Sequence, residues 1–278
     1  LWQSKFKVRD DAHVSKIREE GISEISIDTA RGIDLPPTPI ARINQIDIKL
    51  KSLAEIRAAT PRTVSLGEER RRANRLLVDA GNTVSGLMLS ARAGNNVDAA
   101  YLEPIVCKMI ASVIRNPDAL VPLARLKRLD AYATQHAVAT AALIIAFGRH
   151  QGMPEPEIEK LALGTMVKDI GHAALDARLT AKQGMLSKDE FSIVQSHVEE
   201  GLAVLDATTR LSETSVAVVL EHHERYNGCG YPYRMIGDEI SVAGRMAAIV
   251  DTYDAMTSDR PYRAAMSPSQ TLRQLYDE

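Results

Sequence analysis

Histidine and aspartate are the residue types in this sequence whose placement could do chemistry. Six of its seven histidines fall between His136 and His223. His136 precedes the largely apolar run Ala137 to Phe147, Asp169 follows Leu161 to Val167, and His197 lies among Ile193, Val194, Val198 and Leu202. The adjacent pair His222 and His223 follows Val216 to Leu220, and Asp251 follows Met246 to Val250. Polar groups in such surroundings need partners, because burying one unpaired costs roughly 2 kcal/mol or more. A single histidine of this kind is more often a hydrogen-bonded core residue than a ligand. Ligand-type residues recurring once per helix, with an adjacent His-His pair, point instead to a shared metal site. Imidazole and carboxylate donors without thiolate suit Fe, Mn, Ni or Zn, and two such ions can activate a hydroxide for attack on phosphorus.

The elements that must position these residues read as helices. Of 278 residues, 45% are hydrophobic and only 4% aromatic, in a chain rich in Ala, Leu, Ile and Val, which favours helix over sandwich or barrel. Ala73, Leu77, Ala80, Val84 and Leu87 step by four and three along helix 66–92. That seam fits packing within the domain or against a second copy as a homodimer, and Arg70, Arg71, Arg72 and Arg75 beside it read as a solvated face. Further helices are expected over Asn96–Ile114, broken or kinked at Pro104, over Asp130–Phe147, and from Pro154 and Pro156 to about Val167. Ser187 and Glu190 form a capping-box pattern opening a helix that carries His197, and Ser212–Glu224, Ser241–Ser258 and a helix from Ser267-Pro268 complete the set. Before them, alternation around Lys5–Val8 and Glu24–Asp28 flanks a short helical stretch, and Pro36, Pro37 and Pro39 mark a linker. The expected fold class is therefore mainly α, with a small N-terminal α/β domain over 1–60 and a helical domain over 61–278.

Composition excludes several function classes. A formal net charge of -2 offers no general field for a nucleic acid polymer or an anionic membrane surface. The longest apolar stretch, Ala141 to Phe147, is far short of the roughly 20 residues of a membrane span. Cys107 and Cys229 lie far apart, which fits a reducing, cytoplasmic setting, and the chain opens at Leu1 as though its start lies upstream.

The stretch HHERYNGCGYP from His222, followed by Asp251 within IVDTYDAMTSDRPYR, resembles the signature of the HD-GYP domain, a subgroup of the HD phosphohydrolase superfamily. The likeness runs from about Pro117 to Arg263, and the segment from Ser4 to Gly32 resembles the small domain of unknown function that often precedes HD-GYP domains. The resemblance implies an HD-superfamily helical bundle with a metal centre hydrolysing cyclic di-GMP to the linear dinucleotide or GMP. It implies His136, Asp169, His197, His222, His223 and Asp251 as ligands of two divalent ions. Tyr132 stands where members with three metals carry Glu, so a third ion is not expected. Arg260, Arg263 and Asp254 match substrate-binding or active-site positions, and Gly228, Gly230, Tyr231 and Pro232 form the loop through which GGDEF proteins are proposed to dock.

One departure strikes the centre itself. Where the family reads His-Asp-Ile-Gly-Lys, this chain reads Lys168-Asp169-Ile170-Gly171-His172, so histidine and lysine have exchanged places. Lys168, Asp169 and His172 are thus the candidate catalytic residues. An ammonium has no lone pair for a metal and repels nearby cations, so Lys168 is expected to weaken at least one metal position. Direct replacement by His172, four residues on, requires the backbone to shift at Gly171. Two readings follow: an active cyclic di-GMP phosphodiesterase, or a catalytically inactive relative that binds cyclic di-GMP or a GGDEF protein.

Overall fold

A computed structural model of the chain describes residues 64–95, 97–124, 132–180, 182, 184–206, 211–259 and 264–277, all within the compact unit Lys49–Glu278. The expected α/β domain over 1–60 lies outside the described residues, as do Arg260 and Arg263. Regular elements among the described residues are helices, with one isolated bridge pairing Asn227 and Ile236. They are α1 (Leu66–Arg92), α2 (Glu103–Arg115), α3 (Pro117–Ala124), α4 (Tyr132–His150), α5 (Glu155–Val167) and α6 (Ala177–Thr180). After them come α7 (Lys188–Gln195), α8 (His197–Asp206), α9 (Glu213–Glu221), α10 (Val242–Met256) and α11 (Pro268–Asp277).

Four of these surround the site. Helix α4 packs on α5, α5 on α9, α9 on α10, and α10 back on α4. Helix α4 is apolar on nearly every face because Ala137, Val138, Ala139, Ala141, Ala142, Ile144 and Ile145 are all buried, as a central helix requires. The seam on α1 packs inside the domain: Ala73, Leu76, Ala80 and Val84 join this same core, with Leu77 and Leu87 half-buried against it. Arg70, Arg71, Arg72 and Arg75 are exposed, as a solvated face should be. Helix α1 is further fixed to α2 by the buried Glu69 carboxylate, which accepts hydrogen bonds from Ser112 Oγ (2.7 Å) and from Arg115 Nε and Nη2 (both 2.8 Å).

Three local expectations need correction. Pro104 does not break a helix; it sits in the first turn of α2, where its absent N–H has no intrahelical partner to lose, and a short 3₁₀ turn, Ala99–Leu102, precedes it. The capping box of Ser187 and Glu190 is present, but its helix ends at Gln195, where Ser196 Oγ donates to the Ile193 carbonyl, and His197 opens α8. Helix α9 ends at Glu221, so His222 and His223 lie just beyond it.

Candidate metal centre

Every ligand-type residue is delivered from an element boundary or from the inner face of α4 or α10. Asp169 lies between α5 and the 3₁₀ turn Ile170–Ala173, which is pressed against α8. Glycine at 171 makes that contact possible: a Cβ there would stand 1.9 Å from the His197 carbonyl oxygen and 2.4 Å from the Gly201 nitrogen. This backbone contact brings Asp169 to His197.

The structure sorts the candidate ligands into two groups that share Asp169. The first is Asp169, His197, His222 and His223, and the second is His136, Asp169 and Asp251; within each group the ligand atoms lie within 4.8 Å of one another. In the first, the Nδ1–H of His197 donates to the Val194 carbonyl (2.7 Å), and that of His222 donates to the Val219 carbonyl (2.8 Å). A carbonyl can only accept, so Nδ1 of each ring carries a proton and Nε2 is the nitrogen turned to the site, as metal-binding histidines are usually oriented. Both Nε2 atoms are buried without a hydrogen-bond partner, and they face Asp169 Oδ1 at 3.8 Å and 3.6 Å. Burial, with neighbouring imidazoles adding to it, pushes His197 down to about 3 and holds His223 well below the usual histidine value, so both stay neutral. This donor set fits a divalent cation.

The second group does not. The Lys168 side chain is fully buried, and its Nζ donates to Asp169 Oδ2, lies 2.7 Å from Asp251 Oδ1, and stands 3.2 Å from His136 Nε2. Burial opposes the Lys168 charge, but the Asp169 and Asp251 carboxylates outweigh it and raise its pKa. Burial likewise opposes ionisation of those carboxyls, and the adjacent Lys168 charge holds both well below the usual range. His136 is gripped on both sides, by Asp254 Oδ2 at Nδ1 (2.5 Å) and by Asp251 Oδ1 at Nε2 (2.9 Å). Burial and Lys168 pull its pKa down, and the two carboxylates reverse the sign and leave it raised.

Several candidates occupy other places than the sequence implied. Asp254 is fully buried behind His136, where it positions the imidazole from Nδ1. His172 belongs to neither ligand group; its ring stacks flat on His197, with centroids 4.0 Å apart and planes 9° apart. Tyr231 stacks on His223 at 4.6 Å, joining the Gly228–Pro232 loop to the ligands, and that loop lines a cleft of about 600 Å³ with Ser196 and Glu199. Sequence reasoning passed over Glu224. This buried carboxylate follows the His pair and accepts the backbone N–H groups of Tyr233 (2.7 Å), Arg234 (3.1 Å) and Met235 (3.1 Å). An acid directly between two ligands and a glycine-rich loop was the available signal.

Comparison with known proteins agrees with this architecture. Residues 116–278 match the family model described as HD domain, and residues 1–101 match Domain of unknown function (DUF3391), whose span takes in α1. "Cyclic di-GMP phosphodiesterase PA4108" of Pseudomonas aeruginosa is 34% identical over 271 residues, covering 97% of this chain and 64% of that protein. The chain thus spans less than two thirds of that relative. "3'3'-cGAMP-specific phosphodiesterase 2" of Vibrio cholerae is 33% identical over 125 residues, 45% of this chain and 24% of that protein. Among solved structures, Bd1817, an HDG"Y"P protein from Bdellovibrio bacteriovorus, shares the fold with a TM-score of 0.63 at 16% identity, over 86% of this chain and 75% of that one. Among the described residues, no helix is long and apolar enough to cross a membrane. The HD domain match spans more than half of the sequence and contains both ligand groups, and the chain therefore belongs to the HD domain family.

Proposed function

We propose that this chain hydrolyses a phosphodiester bond of cyclic di-GMP. The observation that carries the reading is the pair of buried imidazoles of His197 and His222, whose unpartnered Nε2 atoms converge on Asp169 Oδ1. Asp169, His197, His222 and His223 would hold a divalent cation, of Fe, Mn, Ni or Zn, which supplies Lewis acidity toward a phosphoryl oxygen and acidifies water.

The chain's own residues do the rest. Val194 and Val219 fix the histidine tautomers through their carbonyls. Tyr231 covers His223 and forms one wall of the cleft beside the ligands, a place for a base to stack. Arg260 and Arg263 are proposed to hold phosphate or guanine, a role suited to the planar guanidinium fork. The loop Gly228–Pro232 is the proposed contact for GGDEF proteins, and the cytoplasmic setting rests on cysteine usage alone.

A second reading, a module that binds cyclic di-GMP without cleaving it, draws on the position of Lys168 inside the second ligand group. Turnover distinguishes the two. The purified chain, loaded in turn with Mn, Fe, Ni or Zn, is given cyclic di-GMP, and products are separated by chromatography beside a calorimetric binding measurement. Linear dinucleotide or GMP, lost with Asp169→Ala, is the expected result. Tight binding with no product under every metal would establish the second reading.

A further inference from the structure

Lys168 Nζ stands among the same three residues that form the second ligand group. Its neighbours are Asp169 Oδ2, Asp251 Oδ1 at 2.7 Å and His136 Nε2 at 3.2 Å, one from each of three separate chain segments. An ammonium has N–H groups and no lone pair, so the two carboxylate oxygens accept from it while the His136 ring closes its third side. The arrangement matches what a cation of another kind would need at that point: oxygen, oxygen and nitrogen converging on one buried centre.

We infer that the Lys168 ammonium permanently fills the second cation position, and that the centre takes a single divalent ion, at Asp169, His197, His222 and His223. The inference rests on the metal centre proposed above and concerns its composition. Asp169 divides between the two cations: Oδ2 receives Lys168, while Oδ1 faces His197 and His222 at 3.8 Å and 3.6 Å. One carboxylate would therefore serve both a covalently tethered cation and an exchangeable one.

The geometry also opposes withdrawal of the lysine to admit a second ion. Lys168 caps the C-terminus of α5 and is 0% exposed, so its stem has no open solvent to swing into. Three residues on, Gly171 is locked against the backbone of α8, where a Cβ would approach the His197 oxygen to 1.9 Å. A backbone shift there, which would also be needed to bring His172 in as a substitute ligand, collides with His197 and Gly201. Nor does the His172 ring turn toward the second group: stacked on His197, it brings its Nε2 to 4.0 Å from Asp169 Oδ1, the oxygen of the histidine-rich side. An ammonium brings charge and hydrogen bonds without a coordination position, so Lewis-acid chemistry is confined to the histidine-rich side.

Metal stoichiometry tests this without any reference to turnover. The full chain is saturated with Mn, desalted and analysed by inductively coupled plasma mass spectrometry, and its Mn electron paramagnetic resonance spectrum is recorded. One ion per chain with an uncoupled Mn signal is expected for the native sequence. Lys168→His is expected to raise the content to two ions and to give a spin-coupled pair. Two ions in the native chain, or none, would overturn the inference; so would a folded Lys168→His variant that still binds one. If that variant does not fold, the native stoichiometry and spectrum decide by themselves. Absence of cyclic di-GMP cleavage in a chain holding one ion would defeat the proposed function and leave this inference standing, whereas cleavage by a chain holding two would do the reverse.

Discussion

The two sides of the centre share Asp169 and differ in what satisfies them. On the Lys168 side the charges are answered from within the chain: ammonium to carboxylates, and imidazole between Asp251 and Asp254. On the His197 side, the Nε2 atoms of two buried rings are aimed inward with nothing to accept them. The first arrangement resembles a buried ion-pair network, whose worth lies in its completeness. The second is a set of desolvated donors that gains only when a cation arrives. With Lys168 in the HD motif, half of the candidate metal-binding constellation is packed as protein interior.

The most severe way to break this contrast is Asp169→Ala, since Asp169 serves both sides. It leaves Lys168 buried with one carboxylate fewer and deprives the histidines of their oxygen partner. A loss of about 3–5 kcal/mol in unfolding free energy is expected from the uncompensated charge, together with loss of bound metal. Urea unfolding and metal analysis on the same preparation check both. A stability unchanged within about 0.5 kcal/mol would mean that the Lys168 network is not formed as described.

A gentler perturbation separates the sides by leaving the sequence alone. Adding a divalent ion at one hundred times its dissociation constant should stabilise the native chain by about 2.7 kcal/mol, the value for one site. Chelator should remove that increment and no more, because the ammonium cannot be chelated. Thermal unfolding with and without metal measures it, and a concentration dependence requiring two sites would contradict the comparison.

The smallest effect is in the pH dependence of the metal-free chain. His197 and His223 have depressed folded values, so the unfolded chain takes up protons there from about pH 6.5 downward while the folded chain does not, and stability falls with falling pH. Asp169 and Asp251 also have depressed folded values, but their contribution is complete above about pH 3.9 and declines only below it. Near pH 5 the slope of stability should therefore come from the histidine side. His197→Asn is expected to reduce it by about one proton, measured from denaturation midpoints between pH 5 and 7; an unchanged slope would place the titration elsewhere.

Much of this was legible in the sequence because it depends on local rules. The apolar run after His136 gives a central helix, and Ser187 with Glu190 gives a capped helix start, whatever surrounds them. The six ligand positions came from the resemblance of the motif stretches, and the structure gathers them around Asp169. What was not legible depends on distance in the fold. That Lys168 would reach Asp251, 83 residues on by the numbering, follows from α5 packing beside α10 and not from any spacing. Asp254 matched a substrate-binding or active-site position by resemblance, and the turn of α10 directs it to the far nitrogen of His136. Pro104 read as a break or kink inside one helix, whereas the 3₁₀ turn Ala99–Leu102 before it leaves it in the first turn of α2.

Glu224 carries a consequence for how a phosphate can be received. Three successive amides, those of Tyr233, Arg234 and Met235, converge on its carboxylate. Converging main-chain amides of this kind commonly cradle an anion supplied by a ligand. Here the protein already furnishes the anion, so the segment after the Gly228–Pro232 loop presents no vacant amides to an incoming phosphodiester. On the proposed function, recognition of a phosphodiester's charge at this segment would fall to side chains, and the segment would serve as a wall of the cleft rather than a clamp.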